Sequence, residues 1–126
     1  MFTDGDITRM AERLARALGP VAVGTFGSYA MGTARDTSDV DLFVIHERAK
    51  ETRLDGRAVR RHLPGVLWPL DIHVFTPQDF EHQALEYHSF EWIIVRQAKL
   101  YYWREDAPQL VPSLFSDHYP PASAGQ

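Results

Sequence analysis

The sequence predicts one α+β domain, a small β-sheet with helices packed on one face. Three observations predict it. Apolar residues recur at helical spacing over residues 6–18, in Ile7, Met10, Ala11, Leu14, Ala15 and Leu18. The run "VDLFVI" over 40–45 and the alternating "LDIHVFT" over 70–76 read as strands. At 126 residues the chain suits a single core, and it shows no internal repeat.

The elements follow in order. Thr3 and Asp6 have the spacing of a capping box for the first helix, and Gly19-Pro20 stops it. A short strand is expected over 21–26, then a Gly-Ser turn at Gly27-Ser28 and one helical turn over 29–32. The second strand occupies 40–45. The next segment is heavily charged, with Arg48, Lys50, Arg53, Arg57, Arg60 and Arg61 against Glu47, Glu51 and Asp55; its later part, 55–63, forms a helix that ends at Pro64-Gly65. Such a run is ordinarily a solvated helix face, and its other reading is part of a partner or acceptor surface. The third strand, 70–76, is flanked by Pro69 and Pro77. Thr76 can cap a following helix with Pro77 at its first position, and helical pattern runs to residue 97 with a break near His88-Ser89. "KLYYW" over 99–103 is the last strand. The tail, 104–126, holds four of the eight prolines and is expected to be extended or disordered unless a partner orders it, leaving the domain at 1–103. Trp92, Ile93, Ile94 and Val95 are too apolar for full exposure and suit a contact with a partner chain.

Composition narrows the function classes. With no cysteine, thiolate chemistry and Cys-based zinc sites are excluded. The acidic, polar start is unlike a signal peptide, and no apolar run approaches the roughly 20 residues of a membrane span, so a cytoplasmic protein is expected. A net charge of −4 argues against direct nucleic-acid binding.

The chemistry lies in "FGSYAMGTARDTSDVDLFVI", 26–45. Alternation in a strand puts Asp39 and Asp41 on one side and Val40, Leu42 and Val44 on the other. The same rule groups Asp71 with His73 and Phe75. Three gathered carboxylates repel one another, and a divalent cation removes the repulsion. Oxygen ligands favour a hard ion, Mg²⁺ or Mn²⁺, and Mg²⁺ sites commonly include substrate phosphates. Gly27 and Ser28 offer close backbone approach, N–H groups and a hydroxyl for such phosphates. His73 shares the face of Asp71 and is read as an exposed strand histidine, its other reading being a contact with substrate; Arg35 is read equally as a solvated loop arginine and as a contact with a phosphate. "RAVRRH", 57–62, matches the loose Arg–four residues–His pattern of HEPN ribonucleases by coincidence.

Gly27-Ser28, ten residues, then Asp39-Val40-Asp41 resembles the signature of the DNA polymerase β nucleotidyltransferase superfamily, and within it the minimal nucleotidyltransferases. The resemblance spans roughly 7–103. It includes Asp71 as third acid and "AKLYYW" at the family's usual ending, with Gln97-Ala98 in place of a glycine and away from the acids. It implies a small mixed sheet. It also implies that Gly27 and Ser28 bind the nucleotide and that Asp39, Asp41 and Asp71 are catalytic and hold metal. ATP would be the donor, two metal ions would stabilise the attacking and leaving oxygens, and pyrophosphate would leave. Members are often antitoxins that transfer AMP to a tyrosine of a HEPN-family toxin, which implies a hetero-oligomer with that toxin. Transfer to a small hydroxylated molecule, as in antibiotic nucleotidyltransferases, and non-catalytic toxin binding are the alternatives.

Overall fold

The computed structural model describes residues 2–105 and Phe115. Helix α1, Asp4–Leu18, begins two residues before the expected start because Thr3 is the cap. The Thr3 hydroxyl accepts from the Asp6 N–H at 3.1 Å, and Asp6 Oδ2 accepts from the Thr3 N–H at 2.8 Å. A reciprocal pair of this kind requires the helix to start immediately after Thr3. The chain leaves the helix at Gly19, whose N–H donates to the Ala15 carbonyl at 3.1 Å.

Strand β1, Ala22–Phe26, is buried throughout because it is central. Helix α2, Gly27–Met31, starts directly at the Gly-Ser pair, so the expected turn and helical turn are one element. Strand β2 is Val40–Ile45 as predicted. Helix α3, Gly56–Arg60, is shorter than expected, with Asp55 as its cap: Asp55 Oδ1 accepts from the Ala58 N–H at 2.8 Å. Strand β3 is Leu70–Phe75. The helical pattern that follows divides into α4, Pro77–Ala84, and α5, Phe90–Gln97. The break falls where the sequence places it. His88 adopts φ 64°, and the Ser89 hydroxyl accepts from the Trp92 N–H at 3.0 Å to cap α5. Strand β4 is Lys99–Trp103.

The sheet order is β3-β2-β1-β4. β1 pairs antiparallel with both β2 and β4, and β2 pairs parallel with β3, so the sheet is mixed. The parallel pair needs a crossover, and the segment containing α3 supplies it. One face carries the expected helix layer: Ile7, Met10, Ala11 and Leu14 of α1 and Val59 of α3 pack on Val23, Val40, Leu42 and Val44. The other face is also covered over part of its length. Phe80 and Ala84 of α4 and Ile94 and Val95 of α5 pack on Ala22, Phe26, Phe43 and Ile45. Phe43 explains why. Its ring stacks with Phe80 at 6.2 Å and with Phe115 at 5.6 Å, three aromatic bodies that need shelter from water. Of the apolar run 92–95, Ile94 and Val95 are in this core, while Ile93 stays exposed. The expectation for the tail falls, apart from Arg104, Glu105 and Phe115, outside the described residues. Among the described residues no helix is long and apolar enough to cross a membrane.

Candidate functional site

The uncovered end of the second face holds the acids. Asp41 is the only residue of β2 that is not buried. Parallel pairing sets Asp41 directly against Asp71 of β3, and antiparallel pairing sets it against Phe26, the last residue of β1. Asp41, Asp71 and His73 therefore share one face, as alternation predicts. Asp39 lies just outside the strand and is exposed. Its position is pinned on both sides. Ser38 exchanges hydrogen bonds with Arg35 and accepts from the Trp68 indole N–H at 3.1 Å. After it, the Val40 N–H donates to the Pro69 carbonyl at 3.0 Å and extends the β2–β3 ladder.

Gly27 meets Asp41 from the neighbouring strand end. It has φ 71°, and a Cβ built there would stand 2.5 Å from Asp41 Oδ2. Only glycine meets both demands, the left-handed backbone and the carboxylate against its Cα. Ser28, half-buried in the first turn of α2, has a hydroxyl with no hydrogen-bond partner among the described residues. The structure thus brings Gly27, Asp41 and Asp71 together, keeps Ser28 adjacent in the chain, and leaves Asp39 at the mouth.

Electrostatics record the crowding. Burial pushes the Asp41 carboxyl above its usual range, the facing Asp71 adds to this, and Asp39 adds more, while His73 opposes it. His73 Nε2 stands 3.2 Å from Asp71 Oδ2, and its ring packs against Phe26 at 5.6 Å and Phe90 at 5.0 Å. The histidine is thus a packed partner of Asp71. Among the described residues no three His, Cys, Asp or Glu side chains stand close enough to enclose a metal ion. The donor set nevertheless fits a hard cation: two register-paired carboxylates and a third at the mouth, all oxygen, which repel one another with His73 opposing in part.

Sequence reasoning missed one contact. Gln97 was expected to lie away from the acids. Its Oε1 instead accepts the Gly27 N–H at 3.1 Å, across 70 residues of sequence. β4 lies beside β1, so the end of α5 arrives at the end of β1 where α2 begins. The one available signal was the replacement of a glycine at this point.

Comparison with known proteins agrees with this fold. A solved structure of a Sulfolobus solfataricus protein assigned as a nucleotidyltransferase superposes with a TM-score of 0.55 at 22% identity, over 80% of each chain. A toxin–antitoxin structure with AMP-PNP superposes with a TM-score of 0.52 at 22% identity, over 88% of this chain and 86% of the other. These likenesses are of fold. No curated protein matches in sequence. The profile of the nucleotidyltransferase domain matches residues 7–106, and the chain belongs to that family.

Proposed function

We propose that this nucleotidyltransferase is an antitoxin that uses ATP and Mg²⁺ to transfer AMP to a tyrosine hydroxyl of a HEPN-family toxin. The observation that carries the catalytic part is the in-register pair Asp41–Asp71 against Gly27. It supports a reading in which Asp71 is the acceptor-side carboxylate and the Gly27 turn is the phosphate side. Mg²⁺, held by Asp39, Asp41 and Asp71, would neutralise phosphate charge and stabilise the attacking and leaving oxygens.

In the reaction the tyrosine oxygen attacks the α-phosphorus. A new O–P bond forms, the bond from the α-phosphorus to the bridging oxygen breaks, and pyrophosphate leaves. The phenolic proton passes to the carboxylate of Asp71, the outermost and most exposed acid of the register pair, and then to solvent. Gly27 lets the triphosphate approach the backbone closely, and Ser28 orients it through its N–H and hydroxyl. The Gly27 N–H is held by Gln97 in the structure, so Ser28 is the free donor of the pair. Pinning of Asp39 by Ser38 and Trp68 keeps the mouth acid in place for the metal.

The biological part rests on the resemblance and on the toxin–antitoxin protein that shares the fold. A protein acceptor suits a compact catalytic domain, because the partner can complete the site. The reaction would take place in the cytoplasm. The test is incubation with a candidate HEPN-family toxin and Mg-ATP. The toxin should gain the mass of one AMP. Asp39→Ala and Asp41→Ala should abolish the gain. Modification that persists in both variants overturns the metal assignment, and modification of an aminoglycoside without any protein partner would shift the acceptor to a small molecule.

A further inference from the structure

Asp71 has a second neighbourhood. β3 is an edge strand, and beyond its outer edge lies a cavity of about 320 Å³ lined by Gly56, Arg57, Arg60, Leu70, Asp71 and Ile72. Asp71 is the one residue that belongs both to this cavity and to the acid group. α3 forms the opposite wall, with the Gly56 backbone against the Ile72 carbonyl. Asp71 lies on β3 between Leu70 and Ile72, so it lines this cavity at the sheet edge, beside the basic residues of α3.

The two arginines are one turn apart on α3 and face the same way. They are not equivalent. Arg60 Nη2 donates to the carbonyls of Val66 at 2.9 Å and Trp68 at 3.3 Å, which ties it to the loop before β3. Arg57 is exposed, and its guanidinium makes no hydrogen bond or ion pair among the described residues. A planar guanidinium with all its donors unused, beside a cavity that ends at Asp71, is suited to a carboxylate.

The geometry points to an acceptor-docking groove for an acidic peptide segment: the hydroxyl-bearing residue sits at Asp71, and a neighbouring Asp or Glu of the same segment pairs with Arg57. This deepens the proposed function and rests on it. A cavity of that volume is roughly 8–9 Å across, the length of two to three extended residues at about 3.3 Å each. The acidic residue therefore lies within about three positions of the acceptor. Positive charge is needed here for a physical reason. Three carboxylates repel an acidic segment, and Arg57 offsets that repulsion on the side where the segment arrives. A peptide is favoured over RNA because the chain carries a net charge of −4 and the groove offers only two guanidiniums, one of them already engaged.

The test uses the full chain and two fluorescent nine-residue peptides with a central tyrosine, one flanked by glutamates and one by lysines. Binding is read by anisotropy, and transfer from Mg-ATP by mass. Wild type should bind the glutamate peptide about tenfold more tightly than the lysine peptide, and Arg57→Glu should reverse the order. Arg57→Gln should remove the preference. The Asp39→Asn/Asp41→Asn protein should still prefer the glutamate peptide while transferring nothing, which separates the groove from the chemistry. Equal affinity of wild type for both peptides overturns the inference, as does a preference that survives in Arg57→Glu. Arg57-dependent binding of a single-stranded RNA oligonucleotide in place of either peptide also overturns it. Binding with the expected preference but no AMP transfer by wild type would sink the catalytic reading and leave the groove standing.

Discussion

Gly27→Ala tests the contact on which the site is built. Two costs are expected. At φ 71° an alanine pays the left-handed backbone cost, about 1–2 kcal/mol. In addition its Cβ would stand 2.5 Å from Asp41 Oδ2, where ordinary contact begins at 3.4 Å. The carboxylate must turn or shift by nearly an ångström, and its neighbour on the far side is Asp71. An off-rotamer carboxylate adds roughly 1 kcal/mol. The total is about 2–3 kcal/mol. Gly32 supplies an internal control, because it has nearly the same backbone, φ 76°, and nothing within 4 Å of a built Cβ. Gly32→Ala should therefore cost only the backbone part. Urea unfolding of both variants should show Gly27→Ala less stable by about 1 kcal/mol. Adding Asp41→Ala should recover that difference in the Gly27 background and not in the Gly32 background. Equal losses for the two glycine variants, or no coupling to Asp41, would refute the proposed packing of turn against acid.

Other expectations follow from the same structure. Asp41 has its proton affinity raised in the native state, so the native fold is favoured while the proton is bound, and stability is lost as pH climbs from 3.8 through the folded value. Asp41→Asn should thus unfold at higher urea than wild type at pH 7, with the advantage disappearing below about pH 4 and shrinking when Mg²⁺ stabilises the wild type. Asp4 behaves in the opposite sense. Its carboxylate accepts from Lys99 Nζ at 2.6 Å and from the Tyr101 hydroxyl at 2.5 Å, bonds that hold its pKa below the usual range. Its contribution is present above pH 3.8 and is lost as pH falls. Because the pair is exposed, Asp4→Asn should cost no more than about 1 kcal/mol at pH 7, and the gap to wild type should close in acid melts. Gln97→Leu leaves the half-buried Gly27 N–H without its acceptor and should cost about 1 kcal/mol in urea unfolding, with Gln97→Glu, which retains an acceptor, costing less.

Much of this was legible in the residues because local rules and tertiary contacts agree. β2 and β4 lie where their apolar runs end, and Thr3, Asp55, Thr76 and Ser89 all cap helices through side-chain oxygens. The face shared by Asp41, Asp71 and His73 follows from alternation alone, once the strands are placed. What escaped depends on the third dimension. Alternation assigned Val40, Leu42 and Val44 to the core, yet Phe43 and Ile45 are equally buried from the opposite side. The unbroken apolar run "LFVI" was the sign of a strand covered on both faces. α2 begins at Gly27 because a positive φ there swings the chain straight into a helix, which no propensity scale encodes. Gln97 reaches Gly27 only through the β4–β1 pairing, and the Arg57 groove exists only because β3 falls at the sheet edge.

The most direct test of the central claim follows the phosphorus. The protein is mixed with the proposed HEPN-family toxin, Mg²⁺ and ATP labelled at either the α- or the γ-phosphate. The acids beside the Gly27 turn should send the α-label onto a tyrosine of the partner and the γ-label into free pyrophosphate, with neither transfer in the Asp39→Asn/Asp41→Asn protein. A γ-label on the partner, or neutralisation of the toxin with both labels left on ATP, would contradict the account.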